Sequence, residues 1–193
     1  MALPEDSIAR YLAVANDFGS LVHGTSDWTA QSPVAEWKAC DVVWHLVDWI
    51  PDVLQDGARV QLPRRDPLNS DPVGDWERFD DGLRTLLSQP GIANAEFAHA
   101  QAGTMPLGSA IDMLITPDVF MHSWDLAQGT AQDFTLDPDF AAGLYAGMLG
   151  IDEMLRASGQ YGPRVSVPDD ADPQTQLMAF VGRDPDWRST LQR

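Results

Sequence analysis

Apolar residues recur at helical spacing through most of the chain. In residues 5–24, Ile8, Tyr11, Leu12, Val14, Ala15, Phe18, Leu21 and Val22 share one face and predict a first helix. Gly24 is expected to stop it, because glycine tolerates a left-handed cap. Residues 25–37 carry turn residues and two tryptophans, and read as a loop packed on the helices. Val42, Val43, Leu46, Val47, Ile50, Val53 and Leu54 predict a second helix over residues 39–55. Pro51 should kink it, since proline lacks the N–H and clashes with the preceding turn. Residues 57–72 hold three prolines, adjacent arginines and several aspartates, and are expected to form a loop. A third helix follows over 73–87, ending before Pro90. Residues 94–106 suit a short hairpin or extended connector. Further helices are expected at 107–129 and at 138–158, the latter closed by Gly159. An extended piece over 161–167 and a short helix near 174–181 complete the chain.

Four or five amphipathic helices with little strand predict an all-α fold built as a helical bundle. The 193 residues suit one domain with a short appendage. We expect a bundle over residues 1–160 and a C-terminal extension over 161–193 packed on it. No internal repeat or low-complexity segment interrupts the pattern.

Charge narrows the partners. The formal net charge is −17, and so negative a surface disfavours nucleic acid and anionic lipid. Neither a nucleic acid nor a membrane is expected. No apolar run reaches the roughly 20 residues of a membrane span, and no basic region leads an apolar stretch at the N-terminus. The expected location is the cytoplasm. Cys40 is the one cysteine, which excludes an intrachain disulfide and reads as a small buried hydrophobe. Lys38 is the one lysine against many arginines, a bias that points to a GC-rich source rather than to chemistry.

The segment Thr116-Pro117-Asp118-Val119-Phe120-Met121-His122-Ser123-Trp124-Asp125-Leu126 carries the most chemistry. Asp118 and His122 lie one helical turn apart on a face shared with Ile111, Ile115, Val119 and Leu126. A carboxylate and an imidazole on a core-facing stripe are costly unless paired, hydrogen-bonded or bound to metal. The spacing fits chelation of a divalent ion; a buried Asp–His hydrogen bond that ties the bundle together fits it too, and is the simpler reading of spacing alone. Thr116-Pro117 also resembles a helix start, which would break the alignment with Ile111 and Ile115. His45 sits between an apolar arc (Val42, Trp49, Val53) and an acidic edge (Asp41, Asp48, Asp52). It could point toward another helix as a third ligand, or pair with Asp41 or Asp48.

The run Trp37-Lys38-Ala39-Cys40-Asp41-Val42-Val43-Trp44-His45-Leu46 resembles the W-x-x-x-D-V-x-x-H-L signature of the mycothiol-dependent maleylpyruvate isomerase N-terminal domain family, one of the DinB-like metal-binding bundles. Residues 118–127, reading D-V-F-M-H-S-W-D-L-A, resemble that family's second signature. Tyr161-Gly162-Pro163 and Gly182-Arg183-Asp184-Pro185 are similar to the ending of a short actinobacterial subgroup. The resemblance implies a DinB-like four-helix bundle with an extra helix, and a metal triad of His45, Asp118 and His122. In the isomerase the acid is glutamate, so Asp118 is a shorter substitute. Three N/O ligands leave a position open, the catalytic pattern for zinc, with nickel, iron or manganese as alternatives.

The resemblance further implies mycothiol as co-substrate and a small electrophile as its partner, in S-transfer or cis–trans isomerisation. The isomerase has a longer C-terminal domain, so maleylpyruvate itself is not the expected substrate. A non-catalytic metal- or ligand-binding bundle and a metal-assisted hydrolase are the other readings. Assembly as a homodimer is left open. Asp125 is placed to orient a histidine ring from behind, and equally to be an exposed acid or an intrahelical partner. Trp124 is expected in the core, and His23 and His99 in ordinary roles. Arg183 fits a salt bridge with one of the many acids better than a substrate contact. No Ser-His-Asp elbow, phosphate loop or dinucleotide fingerprint is present.

Overall fold

Aspartate followed by proline starts three of the helices. Asp71, Asp137 and Asp172 each accept a hydrogen bond from a first-turn N–H, of Gly74 (3.2 Å), Phe140 (2.9 Å) and Thr175 (3.1 Å). Proline at the next position removes an N–H that would have no partner there. These caps open α3 (Pro72–Leu87), α6 (Pro138–Leu149) and α8 (Pro173–Phe180). Asp6 caps α1 (Ser7–Gly24) in the same way, accepting from Ala9 N at 2.8 Å. In α2 (Ala39–Ala58) the first-turn acid Asp41 reaches back to accept from Lys38 N at 2.8 Å. Part of the chain's acidity is therefore helix-starting machinery, placed where the helix dipole favours it.

The computed structural model describes residues 2–68 and 71–189. It is mostly helical. Helices α1 and α2 each pack against both α3 and α5 (Thr116–Gly129), which closes a ring of four around one apolar core. Phe18, Leu46, Ile50, Trp76, Phe79, Leu83, Ile111 and Val119 meet inside it. The connector is a hairpin, β1 (Glu96–His99) antiparallel to β2 (Gly103–Pro106), with Phe97 opposite Met105. It rests on α2, where Phe97 is fully buried. Helix α6 and α7 (Asp152–Ala157) lie on the C-terminal side, with α6 packed on α8. Among the described residues no helix is long and apolar enough to cross a membrane.

Three expectations change. Gly24 is the last residue of α1 and no left-handed cap follows, because Thr25 is extended. The glycine serves a close approach instead: a Cβ there would stand 2.1 Å from Gln132 Oε1, whose amide nitrogen hydrogen-bonds Leu21 O at 2.9 Å. Helix α2 runs past its expected end at residue 55 to Ala58, with Pro51 buried inside it. The helix expected over 138–158 is broken at Gly150 and Ile151 into α6 and α7, where three glycines within eight residues (143, 147 and 150) weaken helical continuity. Residues 161–167 belong to no helix or strand, and Val165 N bonds Ala179 O at 2.9 Å.

The segment before α5 resolves the Thr116-Pro117 ambiguity. A short α4 (Leu107–Ala110) passes into a π-helical turn, Ile111–Ile115, closed by Thr116 N–H on Ile111 O. Ile115 and Thr116 keep right-handed helical dihedrals, so the path continues into α5 without a break. The wider turn accommodates the proline that an α-turn would clash with. Ile111, Ile115 and Val119 all stay buried, and Asp118 keeps its place beside them. A π-bulge thus sets the rotation of the helix that carries two candidate ligands.

The aromatic cluster at the ring's centre gives a direct check on this packing. Phe18 and Trp76 have ring centroids 4.5 Å apart, and Trp76 and Phe79 5.5 Å. Phe18→Ala is expected to lower the unfolding free energy by about 3–5 kcal/mol, read as a lower urea midpoint.

Candidate metal centre

His45 and Trp49 lie one turn apart on α2, and both reach across to α5. His45 Nε2 is 3.1 Å from Asp118 Oδ2, and Trp49 Nε1 donates to the same oxygen at 2.8 Å. The other carboxylate oxygen, Oδ1, faces His122 Nε2 at 3.6 Å, too long for a hydrogen bond. His122 Nε2 therefore points at the place where His45 and Asp118 meet, with no hydrogen-bond partner among the described residues.

The donor atoms of His45, Asp118 and His122 all lie within 4.8 Å of one another, so the three could hold one metal ion. Tetrahedral zinc with bonds of about 2.0–2.1 Å separates its ligands by about 3.4 Å, so side-chain shifts of about an ångström would suffice. Two imidazoles and one carboxylate also match the chemistry of a divalent first-row ion. The shorter acid reaches far enough: Asp118 spans the gap to α2 without help from a longer side chain. The expected pairing of His45 with Asp41 or Asp48 does not occur. Asp41 caps α2, and Asp48 binds Arg65 at 2.5 Å.

Burial by itself would raise the Asp118 carboxyl, but His122, His45 and Trp49 outweigh it and hold the group below the ordinary carboxylate range. Behind His122 the pattern repeats more tightly. Asp125, 0% exposed, meets His122 Nδ1 at 2.8 Å. Arg183 grips the same carboxylate through Nε to Oδ1 at 3.1 Å and Nη2 to Oδ2 at 2.9 Å. Burial would raise Asp125 as well, and Arg183 and His122 more than cancel it, leaving the group below its usual range. Asp125 is therefore no exposed acid; its contact with His122, three residues away on the same helix, is an intrahelical pairing that also stands behind the ring.

Three tryptophans border the site. Trp37 stacks near His122 at 5.7 Å between centroids and lies 5.0 Å from His45; Trp49 stacks on His45 at 6.0 Å. With Trp44 they line an open groove of about 640 Å³, whose lining also includes His45, Asp48, Asp52 and Arg65. Arg65 lies over the Trp44 ring at 4.9 Å. A smaller concavity of about 380 Å³ between Trp124 and Arg188 contains none of the three donors.

The sequence-derived site residues all converge, and others join them. Trp49 carried a legible signal, since it follows His45 at the one-turn offset. Trp37 opens the first histidine motif and Arg183 forms the salt bridge expected of it, but nothing local tied either to this site, because each arrives from outside the two helices. Trp124 is in the core as expected, while His23 and His99 lie elsewhere, near Glu77 and Phe97. Cys40 is buried, and burial with the adjacent Asp41 pushes its thiol up, away from nucleophilic use.

Fold and site together define a mostly helical protein with a candidate His/Asp/His metal centre. The chain belongs to the same family as two proteins of Mycobacterium tuberculosis, from strains CDC 1551 / Oshkosh and H37Rv, each described as uncharacterized. Each is 30% identical to it over 155 residues, covering 79% of this chain and 82% of the relative. No protein-family model matches the chain, and no solved structure does.

Asp125 is the sharpest test of the buried electrostatics. Asp125→Ala would strand the Arg183 guanidinium, 13% exposed, against apolar surroundings. The metal-free variant is expected to lose about 3–5 kcal/mol of stability in chemical denaturation, well beyond the effect of removing an exposed acid.

Proposed function

We propose that the chain is a thiol-dependent metalloenzyme, holding one divalent ion, zinc first, through His45, Asp118 and His122. The observation that carries this reading is the unpartnered His122 Nε2, aimed at the point shared by Asp118 and His45. An imidazole nitrogen oriented so carefully by Asp125 and then left without a hydrogen bond is poised to donate its lone pair.

Nickel, iron and manganese suit the same donors. The ring of four helices and the two histidine motifs support a DinB-like bundle, and the same motifs support mycothiol as the thiol. When bound, such an ion acts as a Lewis acid that acidifies a coordinated thiol, and the thiolate is the reactive species.

The protein's own groups supply the rest. His45, 31% exposed, is part of the groove lining, so a small molecule held there would lie beside the donor set, where three ligands would leave one coordination position open. The faces of Trp37, Trp44 and Trp49 offer apolar stacking surface there. Trp49 N–H and Asp125 hold Asp118 and His122 in place. With Cys40 buried, the sulfur nucleophile must come from the co-substrate. Attack on a small electrophile then forms a carbon–sulfur bond. Loss of a leaving group completes S-transfer; expulsion of the thiol after rotation completes isomerisation.

Elemental analysis of protein purified with zinc is expected to give about one ion per chain, falling to background in His45→Ala and His122→Ala. In the cobalt(II) form, adding a thiol should produce a sulfur-to-metal charge-transfer band and support conversion of monobromobimane or chlorodinitrobenzene. Absence of bound metal sinks the proposal. Thiol-independent ester or amide cleavage by the metal form would replace it with a hydrolase.

A further inference from the structure

Arg183 comes from the C-terminal segment, far along the chain from the helices that carry the donors, yet it closes the chain of contacts behind His122. Its delivery is built into the end of α8. Gly182 is left-handed (φ +89°), its N–H bonding Ala179 O at 3.2 Å and the Arg183 N–H bonding Met178 O at 2.9 Å. This pair of bonds is the Schellman helix ending. Any residue but glycine would be strained at that φ, and a Cβ at Gly182 would also stand 2.8 Å from Gly162 Cα. The two chain segments cross there in backbone contact. Arg156 fastens both, donating to Gly162 O and, at 2.5 Å, to Phe180 O. Leu177, Met178, Phe180 and Val181 anchor the turn in the core.

The chemistry then runs in one direction. The Arg183 guanidinium occupies both oxygens of Asp125, which keeps that carboxylate ionised and an acceptor only. The 2.8 Å contact with His122 Nδ1 therefore requires the proton on Nδ1. In the neutral imidazole Nε2 is then the nitrogen that carries the lone pair, and it faces Asp118 and His45. Take Arg183 away and Asp125 loses its fixed orientation. It could turn or become protonated, and the imidazole would no longer be confined to one tautomer.

We propose that Arg183 is a positioning residue for the metal centre: through Asp125 it sets the tautomer and ring orientation of His122, so that metal binding by the helices depends on the docked C-terminal segment. The inference rests on the metal reading above, and it makes α8 and its glycine turn part of the site without touching the ion.

The test compares wild type, Arg183→Met, Arg183→Lys and Arg84→Met. Arg84 pairs with Asp80 and Asn16 on the far side of the ring and controls for general loss of stability. Zinc affinity is measured by competition with a chromophoric chelator, and the His122 tautomer by long-range ¹H–¹⁵N correlation on metal-free protein. Arg183→Met is expected to bind zinc about 10–100-fold more weakly, the usual effect of removing such an outer contact. Arg183→Lys should fall between it and wild type, and Arg84→Met should match wild type. Metal-free wild type should show His122 with its proton on Nδ1, and Arg183→Met a mixture of tautomers. Unchanged zinc affinity in Arg183→Met, or a wild-type His122 protonated on Nε2, overturns the inference. Should Arg183→Met fail to fold, Arg183→Lys with wild-type affinity overturns it equally. Wild type that binds no zinc overturns the metalloenzyme reading instead, and the tautomer measurement still decides whether Arg183 positions His122.

Discussion

A carboxylate placed between packed helices must have its charge met on the spot, and Asp118 is met from both sides. His45 and Trp49 approach one oxygen from α2, while His122 faces the other from its own helix. This contact between α2 and α5 governs the site. It holds the two helices in a rotation that turns ionisable groups inward, and it brings together donors from opposite halves of the chain. Were α2 rotated by one residue, about 100°, His45 would leave the interface and Asp118 would lose the groups that α2 brings to it.

The charges around this contact are layered by burial. Asp118 is partly exposed. Asp125 lies wholly inside, matched by a guanidinium in a bidentate grip. Arginine suits that inner position because its planar fork serves both carboxylate oxygens at once, which a lysine cannot do. Farther out, Arg64 and Arg65 pair with Asp52 and Asp48 along the groove wall. The acidic excess thus divides into helix caps, paired groove acids and a buried inner pair, in addition to the solvated surface.

Local chemistry explains why much of the architecture could be read along the chain. The periodicity of α1, α2 and α5 is a property of residues three and four apart, so those helices were legible, as was the Asp118–His122 pair. The Asp-Pro starts of α3 and α8 carried an equally local signal and place each start a residue ahead of the periodic pattern. The break between α6 and α7 is written in closely spaced glycines, a weak signal against strong apolar periodicity. The π-turn at Ile111–Ile115 is different. Proline announces a disturbance, but whether the helix stops or widens depends on the core that Ile111 and Ile115 must still fill.

By itself, the sequence determined which residues become helical, where most helices start, and that Asp118, His122 and Asp125 share a helix face, because these depend on contacts within a turn or two. Only the tertiary structure decided that His45 pairs with Asp118 rather than Asp41 or Asp48, that Trp37 and Trp49 border the centre, and that Arg183 stands behind Asp125. Those relations join residues far apart in the chain: Trp37 and His122 are 85 positions apart, His45 and Asp118 73, and Asp125 and Arg183 58. They follow from how helices rotate and cross when the core closes, which no local spacing encodes.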